Sequence, residues 1–196
     1  MNNIQISNMS HSEWVIYKKQ NKNILLNSYP NYNFSARLEI MTSFKKILQE
    51  ENIELFLSGG TLLGCHREGN FIPWDPDVDM DVFAEQLIPK FDIIKSKLVD
   101  LGYIVRSIDQ YPNMKINVYN SGEKIGILAL YLNPDTKMRY RYRHKWPARL
   151  YESSQLVIFK NIEFRAPEVL GYLEHTYGKN WGVPMRKNYF NKDLFR

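Results

Sequence analysis

The chain has 196 residues, of which 44% are hydrophobic and 24% are charged, and its formal net charge is +5. This composition is typical of a soluble globular protein with room for one hydrophobic core. The single cysteine, Cys65, excludes an intrachain disulfide and a cysteine cluster for zinc. The mild positive charge suits a phosphate-rich ligand, but no block of like charges indicates a nucleic-acid partner.

The first residues carry no targeting signal that we recognise. Residues 1–12 are rich in Asn and Ser and lack an apolar core, unlike a secretory signal. No run approaches the roughly 18–20 apolar residues that cross a bilayer. We therefore expect a cytoplasmic protein with no transmembrane segment, and the oligomeric state stays open.

The N-terminal third is predicted to contain an arm, a helix and a strand. Residues 1–33 are interpreted as a loosely held arm, with residues 14–17 as its apolar anchor. A helix is expected from Phe34 to about Asn52, and residues 53–57 read as a short strand. The helical face carries apolar side chains three or four residues apart: Phe34, Leu38, Met41, Phe44 and Leu48.

The next segment combines a turn, a short helix, a loop and a strand. A tight turn is expected at residues 58–61 and a short helix at residues 62–67. Residues 68–76 contain one Gly and two Pro, which excludes regular structure there. Residues 77–83 alternate polar and apolar side chains, which predicts a strand.

The rest of the chain is predicted to complete one α+β domain over residues 34–196, with a mixed central sheet flanked by helices. A second helix buries Leu87, Phe91, Ile94 and Leu98 and ends at Gly102. Strands are expected at residues 103–108, 114–119 and 125–132, and an exposed strand at residues 139–143. A last helix begins at Pro167, buries Val169, Leu170 and Leu173, and ends at Gly178.

The strand at residues 77–83 carries a row of carboxylates. Because alternate side chains of a strand share a face, Asp77, Asp79 and Asp81 are expected side by side. Such carboxylates repel, and Mg²⁺ (or Mn²⁺) resolves the repulsion because it prefers oxygen ligands. Asp75 precedes the regular strand and is expected to act as a hydrogen-bond acceptor. A solvated strand face is the alternative.

An EF-hand calcium loop is excluded, because Met80 and Gln86 stand where that loop requires Gly and Glu. Gly59, Gly60 and Thr61 lie at a strand-to-helix junction, where backbone amides bind phosphate. No P-loop or dinucleotide fingerprint is present. A small-residue turn, a short helix and an acidic strand together are typical of nucleotidyltransferases.

The same residues resemble the LicD/fukutin family. Residues 57–64 read Leu-Ser-Gly-Gly-Thr-Leu-Leu-Gly, Arg67 follows, and residues 71–79 read Phe-Ile-Pro-Trp-Asp-Pro-Asp-Val-Asp. The family pattern is Gly-Thr-Leu-Leu-Gly, an Arg, and Ile-Pro-Trp-Asp-x-Asp-x-Asp. Residues 164–167 and 177–181 resemble the closing Pro-helix-Tyr-Gly segment of that family.

The resemblance implies a nucleotidyltransferase-like fold and a transferase activity. The implied reaction moves a phospho-alcohol, such as ribitol phosphate or phosphocholine, from a CDP-linked donor to a glycan or sugar hydroxyl. It also implies that Asp77 and Asp79 bind the metal. Gly59, Gly60, Thr61 and Arg67 are expected to hold the donor phosphates, and either Asp81 or Asp75 is expected to be the base, so that Asp77, Asp79 and Asp81 form the expected catalytic set.

The chain departs from the family pattern in a later strand. Family members usually carry an acidic residue in a segment like Val-Asp-Ile-Phe, whereas residues 124–134 contain no Asp or Glu. Asn117, Asp135 and Asp81 are the candidates to replace it. The alternative functions are therefore a nucleotidyltransferase that transfers the NMP itself, or a catalytically impaired nucleotide- or glycan-binding module.

Several other side chains also fit a purely structural role. Arg139, Arg141 and Arg143 are interpreted as a solvated strand face, with anion binding as the alternative. Trp74 is expected to pack rather than to stack on a nucleobase, and Cys65 is expected to be a buried thiol.

Overall fold

The computed structural model describes residues 2–21 and 32–184. The helices of these residues are α1 (Asn3–Ser7), α2 (His11–Gln20), α3 (Phe34–Glu50), α4 (Gly59–Glu68), α5 (Ala84–Leu87), α6 (Phe91–Asp100), α7 (Arg149–Glu152) and α8 (Val169–Tyr177). The strands are β1 (Leu55–Leu57), β2 (Val78–Phe83), β3 (Ile104–Ile108), β4 (Lys115–Asn120), β5 (Glu123–Asn133), β6 (Met138–Arg141), β7 (His144–Pro147), β8 (Gln155–Phe159) and β9 (Ile162–Ala166).

The strands form one mixed sheet, in the order β3-β4-β5-β2-β1-β9-β8. Strand β2 runs parallel to β5 and antiparallel to β1, while β1 runs parallel to β9. The ribbon β6–β7 extends from the end of β5. The mixed sheet flanked by helices confirms the predicted α+β class, and it places the acidic strand β2 in the middle of the sheet.

Helix α3 forms where the apolar period predicted it. Its first turn is capped by the Asn33 side chain, which accepts a hydrogen bond from the Ala36 N–H at 3.0 Å. Met41, Phe44 and Leu48 are fully buried. The burial of this apolar face against the sheet stabilises the helix more than its intrinsic propensity does.

The N-terminal segment is more ordered than the predicted arm. Helices α1 and α2 both begin with a capping box. Trp14 is buried as the predicted anchor and meets the Tyr119 ring edge-on at 5.1 Å. Ile6 is a second buried anchor that the sequence analysis did not name. The arm's residues 22–31 lie outside the described residues.

The second predicted helix is divided. A 3-10 turn at Ile88–Lys90 separates α5 from α6, since Pro89 supplies no backbone N–H to a continuous helix. Leu87, Phe91, Ile94 and Leu98 are all buried, so the predicted apolar face is confirmed.

Other expectations are corrected by the structure. Residues 139–143 are not one exposed strand, because β6 and β7 form a hairpin there. Leu170 is 56% exposed rather than buried, and Tyr172 takes the inner position. The strands β8 and β9 were not predicted. Among the described residues, no helix is both long and apolar enough to cross a membrane.

Candidate functional site

Strand β2 separates an apolar face from a charged one. Val78, Met80 and Val82 are fully buried on the core side. Asp79 and Asp81 therefore point to the opposite face, as the period of two predicted. Asp77 lies immediately before the strand.

The N-terminus of α4 lies beside this acidic row. The helix begins at Gly59, so residues 59–61 form its first turn rather than a separate turn before it. Gly59 has a φ of 53°, a left-handed conformation that favours glycine. Its N–H donates to the Tyr172 hydroxyl at 3.0 Å, and the Asp79 N–H donates to Thr61 Oγ1 at 3.2 Å. These two bonds fix the helix start against α8 and β2.

Gly60 has a specific steric reason to be glycine. A Cβ atom added there would lie 2.0 Å from Oδ2 of Asp75. The Asp75 carboxylate therefore lies directly against the first turn of α4. The backbone amides of that turn carry the positive end of the helix dipole, which favours an anion at this position.

A cavity of about 320 Å³ opens between the α4 N-terminus and the acidic row. Asp75, Asp77 and Asp79 line it, together with Arg141 and the aromatic ring of Trp74. The volume lies in the range of small-ligand sites, about 300–1,000 Å³. Trp74 both packs on the core and lines the cavity, so packing and ligand contact are compatible for this residue.

The crowding of carboxylates changes their acidity. Burial, followed by the charges of Asp77 and Asp79, raises the pKa of Asp75 to about 7. Burial, followed by the charge of Asp77, raises the pKa of Asp79 to about 6. Both shifts report negative charge concentrated in a poorly solvated space, which a cation would relieve.

Two basic side chains offset part of this charge. Lys124 Nζ lies 2.5 Å from Asp77 Oδ2. Arg141 Nε lies 3.3 Å from Asp81 Oδ1 and stacks its guanidinium 5.3 Å from the centre of the Trp146 ring. Burial lowers the pKa of Arg141, but the charges of Asp81 and Asp79 outweigh burial and hold the pKa above its usual value.

Asp81 differs from its two neighbours in the row. It is fully buried, and the Tyr151 hydroxyl donates to its Oδ2 at 3.1 Å. The cavity is lined by Asp75, Asp77 and Asp79 but not by Asp81. The structure therefore disagrees with the expectation that Asp81 takes the acceptor's proton, because a hydroxyl group in the cavity does not reach an enclosed carboxylate.

Arg67 is also displaced from the site. It lies eight residues after Gly59, about 12 Å further along the α4 axis. Its guanidinium contacts the Glu68 carboxylate at 2.5 Å, and it does not line the cavity. The prediction that Arg67 binds the donor phosphates is not supported, since its position at the C-terminal end of α4 removes it from them.

The arginine row of the β6–β7 ribbon was misjudged. Arg139 is buried and pairs with Glu85 through two bonds, of 2.7 and 3.1 Å. Arg141 lines the cavity, while Arg143 lies in the hairpin turn. The alternation of Arg and Tyr indicated a strand. It did not show that β6 folds back over the acidic row.

Cys65 is buried as predicted, and burial raises the pKa of its thiol to about 11. A thiol that stays protonated at neutral pH is a poor nucleophile. Cys65 therefore has the structural role that the sequence indicated.

The residues present fit a divalent cation. Within residues 2–21 and 32–184, no group of three or more His, Cys, Asp or Glu side chains is arranged to hold a metal ion. Asp77 and Asp79 remain as two carboxylates on one cavity wall. Two carboxylates plus substrate phosphates are the usual ligands of Mg²⁺ at phosphate-handling sites. Of the candidates to replace the later-strand carboxylate, Asp135 lies in the turn after β5, and the last residue of that strand, Asn133, is seven residues beyond Gly126, about 23 Å along the strand.

Comparison with known proteins adds independent information. A family model described as "LicD/FKTN/FKRP, nucleotidyltransferase domain" matches residues 52–169. The chain is 23% identical over 200 residues to the ribitol-5-phosphate transferase FKTN of Macaca fascicularis, and 22% identical to FKTN of Homo sapiens. Each alignment covers 92% of this chain and 42% of the relative, so the chain spans less than half the length of these proteins.

A solved structure shares the fold. ANT(2")-Ia in complex with adenylyl-2"-tobramycin superposes with a TM-score of 0.50 and 12% identity. The match covers 70% of this chain and 72% of that chain. The predicted nucleotidyltransferase-like fold is therefore confirmed by sequence family and by structure.

Proposed function

Since this chain belongs to the LicD/FKTN/FKRP nucleotidyltransferase-domain family, we propose that it transfers a phospho-alcohol from a CDP-linked donor to a glycan or sugar hydroxyl. The transferred group is of the ribitol phosphate or phosphocholine type. The similarity to FKTN proteins that are named ribitol-5-phosphate transferases supports the first of these.

One observation carries the proposal. The cavity places the N-terminal turn of α4 opposite the Asp77 and Asp79 carboxylates. A diphosphate in the cavity would accept hydrogen bonds from the α4 amides, because helix N-termini bind anions. The same diphosphate would then lie between those amides and the two carboxylates, so Asp77 and Asp79 would hold a cation whose charge offsets that of the phosphates.

The chain's own residues account for binding and orientation. Arg141 lines the cavity beside the acidic row, so its guanidinium can face the diphosphate oxygens with planar donor groups. Asp75 is the remaining cavity carboxylate, and we assign it to accept the proton of the acceptor hydroxyl. Positioning of this kind supplies much of the rate in phosphoryl transfer, which requires little covalent help from the protein.

The proposed reaction forms one bond to phosphorus and breaks one. The acceptor oxygen forms a bond to the β-phosphorus of the donor, and the bond from that phosphorus to the bridging oxygen breaks. CMP leaves with the bridging oxygen, and the hydroxyl proton passes to Asp75. When bound by Asp77 and Asp79, Mg²⁺ or Mn²⁺ supplies charge neutralisation for the diphosphate.

The test is a donor-consumption assay with magnesium and a panel of simple sugar acceptors. CDP-ribitol and CDP-choline should be consumed with release of CMP, while radiolabelled CTP should persist. Asp79→Asn should abolish consumption without loss of fold, and Asp100→Asn, on the exposed end of α6, should leave it unchanged. Consumption of CTP with release of pyrophosphate would instead identify a nucleotidyltransferase that transfers the NMP.

A second candidate is a binding module without turnover. Gly126 stands on β5 directly opposite Asp79, and Lys124 neutralises Asp77. Both features reduce the carboxylate charge that is available to a metal. Metal-dependent binding of CDP-choline without any CMP release, across the acceptor panel, would favour this function.

A further inference from the structure

The residue beside Asp79 on the neighbouring strand β5 is a glycine, which has no side chain. The register of β2 and β5 pairs Asp79 with Gly126, and the register of β4 and β5 pairs Gly126 with Asn117. The three residues therefore lie side by side across three strands, with the glycine in the middle. A glycine inside a strand often marks a close approach of other groups.

Two oxygen atoms border the space above this glycine. A Cβ atom added at Gly126 would lie 3.0 Å from Asn117 Oδ1 and 3.4 Å from Asp79 Oδ1. The amide of Asn117 thus extends over Gly126 toward the Asp79 carboxylate. Any side chain at position 126 would occupy the space that the two oxygens share.

Asn117 has no evident structural reason to be polar. It is only 8% exposed, and in the described part of the chain its side chain makes no hydrogen bond. Its neighbours on β4, Ile116 and Val118, are fully buried apolar residues. Asn117 is therefore a polar side chain between apolar neighbours, and its oxygen borders the space beside Asp79.

We propose that Asn117 supplies the third protein oxygen of a divalent-cation site whose carboxylates are Asp77 and Asp79, with Gly126 leaving the space it needs. This inference rests on the proposed function for the two aspartates. Amide carbonyl oxygens are accepted ligands of hard cations. Because an amide is neutral, the site carries one negative charge less than it would with a carboxylate at position 117.

The lower charge has a consequence for the order of binding. With two carboxylates, one of them paired with Lys124, the protein alone binds the cation weakly. The donor diphosphate adds the missing negative charge, so cation and donor bind together. Each must then raise the affinity of the other, because binding linkage is reciprocal.

The experiment measures Mn²⁺ binding by electron paramagnetic resonance, with and without CDP-choline. Asn117→Asp, which restores the charge at nearly constant shape, should tighten Mn²⁺ binding to the chain alone at least tenfold. Asn117→Ala and Gly126→Ala should weaken Mn²⁺ binding in the presence of CDP-choline about tenfold. Asn120→Ala, on the same strand but three residues away, is the matched control and should change neither. Thermal melts identify any variant that fails to fold. If Asn117→Ala or Gly126→Ala does not fold, the Mn²⁺ affinity of Asn117→Asp decides whether the inference holds.

The outcomes separate the inference from the proposed function. If wild type binds Mn²⁺ more tightly with CDP-choline, but neither Asn117 variant changes that binding, the inference is overturned and the function stands. If the Asn117 variants change Mn²⁺ binding while no cytidine nucleotide binds, the inference stands and the function fails. Absence of Mn²⁺ binding in every case overturns both.

Discussion

The two halves of the acidic row place the same residue type in opposite surroundings. Asp79 lines a cavity, whereas Asp81, about 7 Å further along the strand, is fully enclosed between Tyr151 and Arg141. Strand parity placed both on one face and could not distinguish them. Their difference arises because the β6–β7 ribbon, which carries Arg141, and the helix α7, which carries Tyr151, cover only the inner half of the row.

The cavity-lining carboxylates and the enclosed carboxylate therefore have different roles. Asp77 and Asp79 line the cavity, and we propose that these two carboxylates bind the ligand. The inner carboxylate orients Arg141, whose guanidinium then reaches the cavity wall. Substitutions in the inner half, at Asp81, should therefore lower the stability of the fold. Substitutions in the outer half, at Asp77 and Asp79, should mainly weaken ligand binding.

The largest effect is expected for Asp81→Ala. The substitution leaves the Arg141 guanidinium buried beside an empty space, and removal of one partner from a buried ion pair costs about 3–5 kcal/mol. Urea unfolding should show that loss in the free energy of unfolding. Asp79→Ala, by contrast, should cost less than about 1 kcal/mol, since it relieves repulsion with Asp77. Equal losses for both variants would remove the distinction between the two halves.

A smaller effect is expected for Arg141→Gln, on donor binding. Charged hydrogen bonds from the guanidinium to the proposed diphosphate would contribute about 1.5–3 kcal/mol, or roughly 10- to 150-fold in affinity. Calorimetric titration with CDP-choline and Mg²⁺ measures this loss of affinity. Because Arg141→Gln also removes the partner of the buried Asp81, the variant should be less stable than wild type, and the titration is made at a temperature at which it remains folded. An unchanged affinity in the folded variant would restrict Arg141 to its contact with Asp81.

Tyr172→Phe tests the anchor of the α4 N-terminus. The variant removes the hydroxyl that accepts the Gly59 N–H, so the free energy of unfolding should fall by about 1 kcal/mol. Tyr142→Phe, at a 60% exposed position, is the control. If both variants unfold alike, the bond to Gly59 does not stabilise the helix start.

The smallest effect is expected for Arg67→Gln. Since Arg67 contacts Glu68 and not the cavity, the affinity for CDP-choline should change less than about twofold, which is about 0.4 kcal/mol. A tenfold loss in the same calorimetric titration would restore Arg67 to the donor site.

The sequence predicted features that depend on local periodicity. The apolar face of α3, the strand β2 and the position of the Gly-Gly-Thr segment at a strand-to-helix junction all follow from spacing along the chain, and the structure has each of them. Leu170 was misplaced because Leu170 and Tyr172 lie two residues apart, about 200° around the helix, and only tertiary packing decides which of the two side chains faces the core.

The sequence did not predict features that depend on contacts between distant segments. Arg141 and Asp81 are sixty residues apart, and their contact exists only because the β6–β7 hairpin returns over the sheet. The alignment of Asn117, Gly126 and Asp79 likewise requires the register of three strands. Asn117 was one of three candidates from the sequence, and only the sheet topology separates it from Asp135.

We propose that Asp77 and Asp79 bind a divalent cation together with a CDP-linked donor. Calorimetric titration of CDP-ribitol into wild type and Asp79→Asn, each with Mg²⁺ and with EDTA, tests it most directly. We expect Mg²⁺ to tighten CDP-ribitol binding to wild type at least tenfold and to have no effect on binding to Asp79→Asn. Equal affinity with Mg²⁺ and EDTA in wild type, or an undiminished Mg²⁺ effect in the variant, would contradict it.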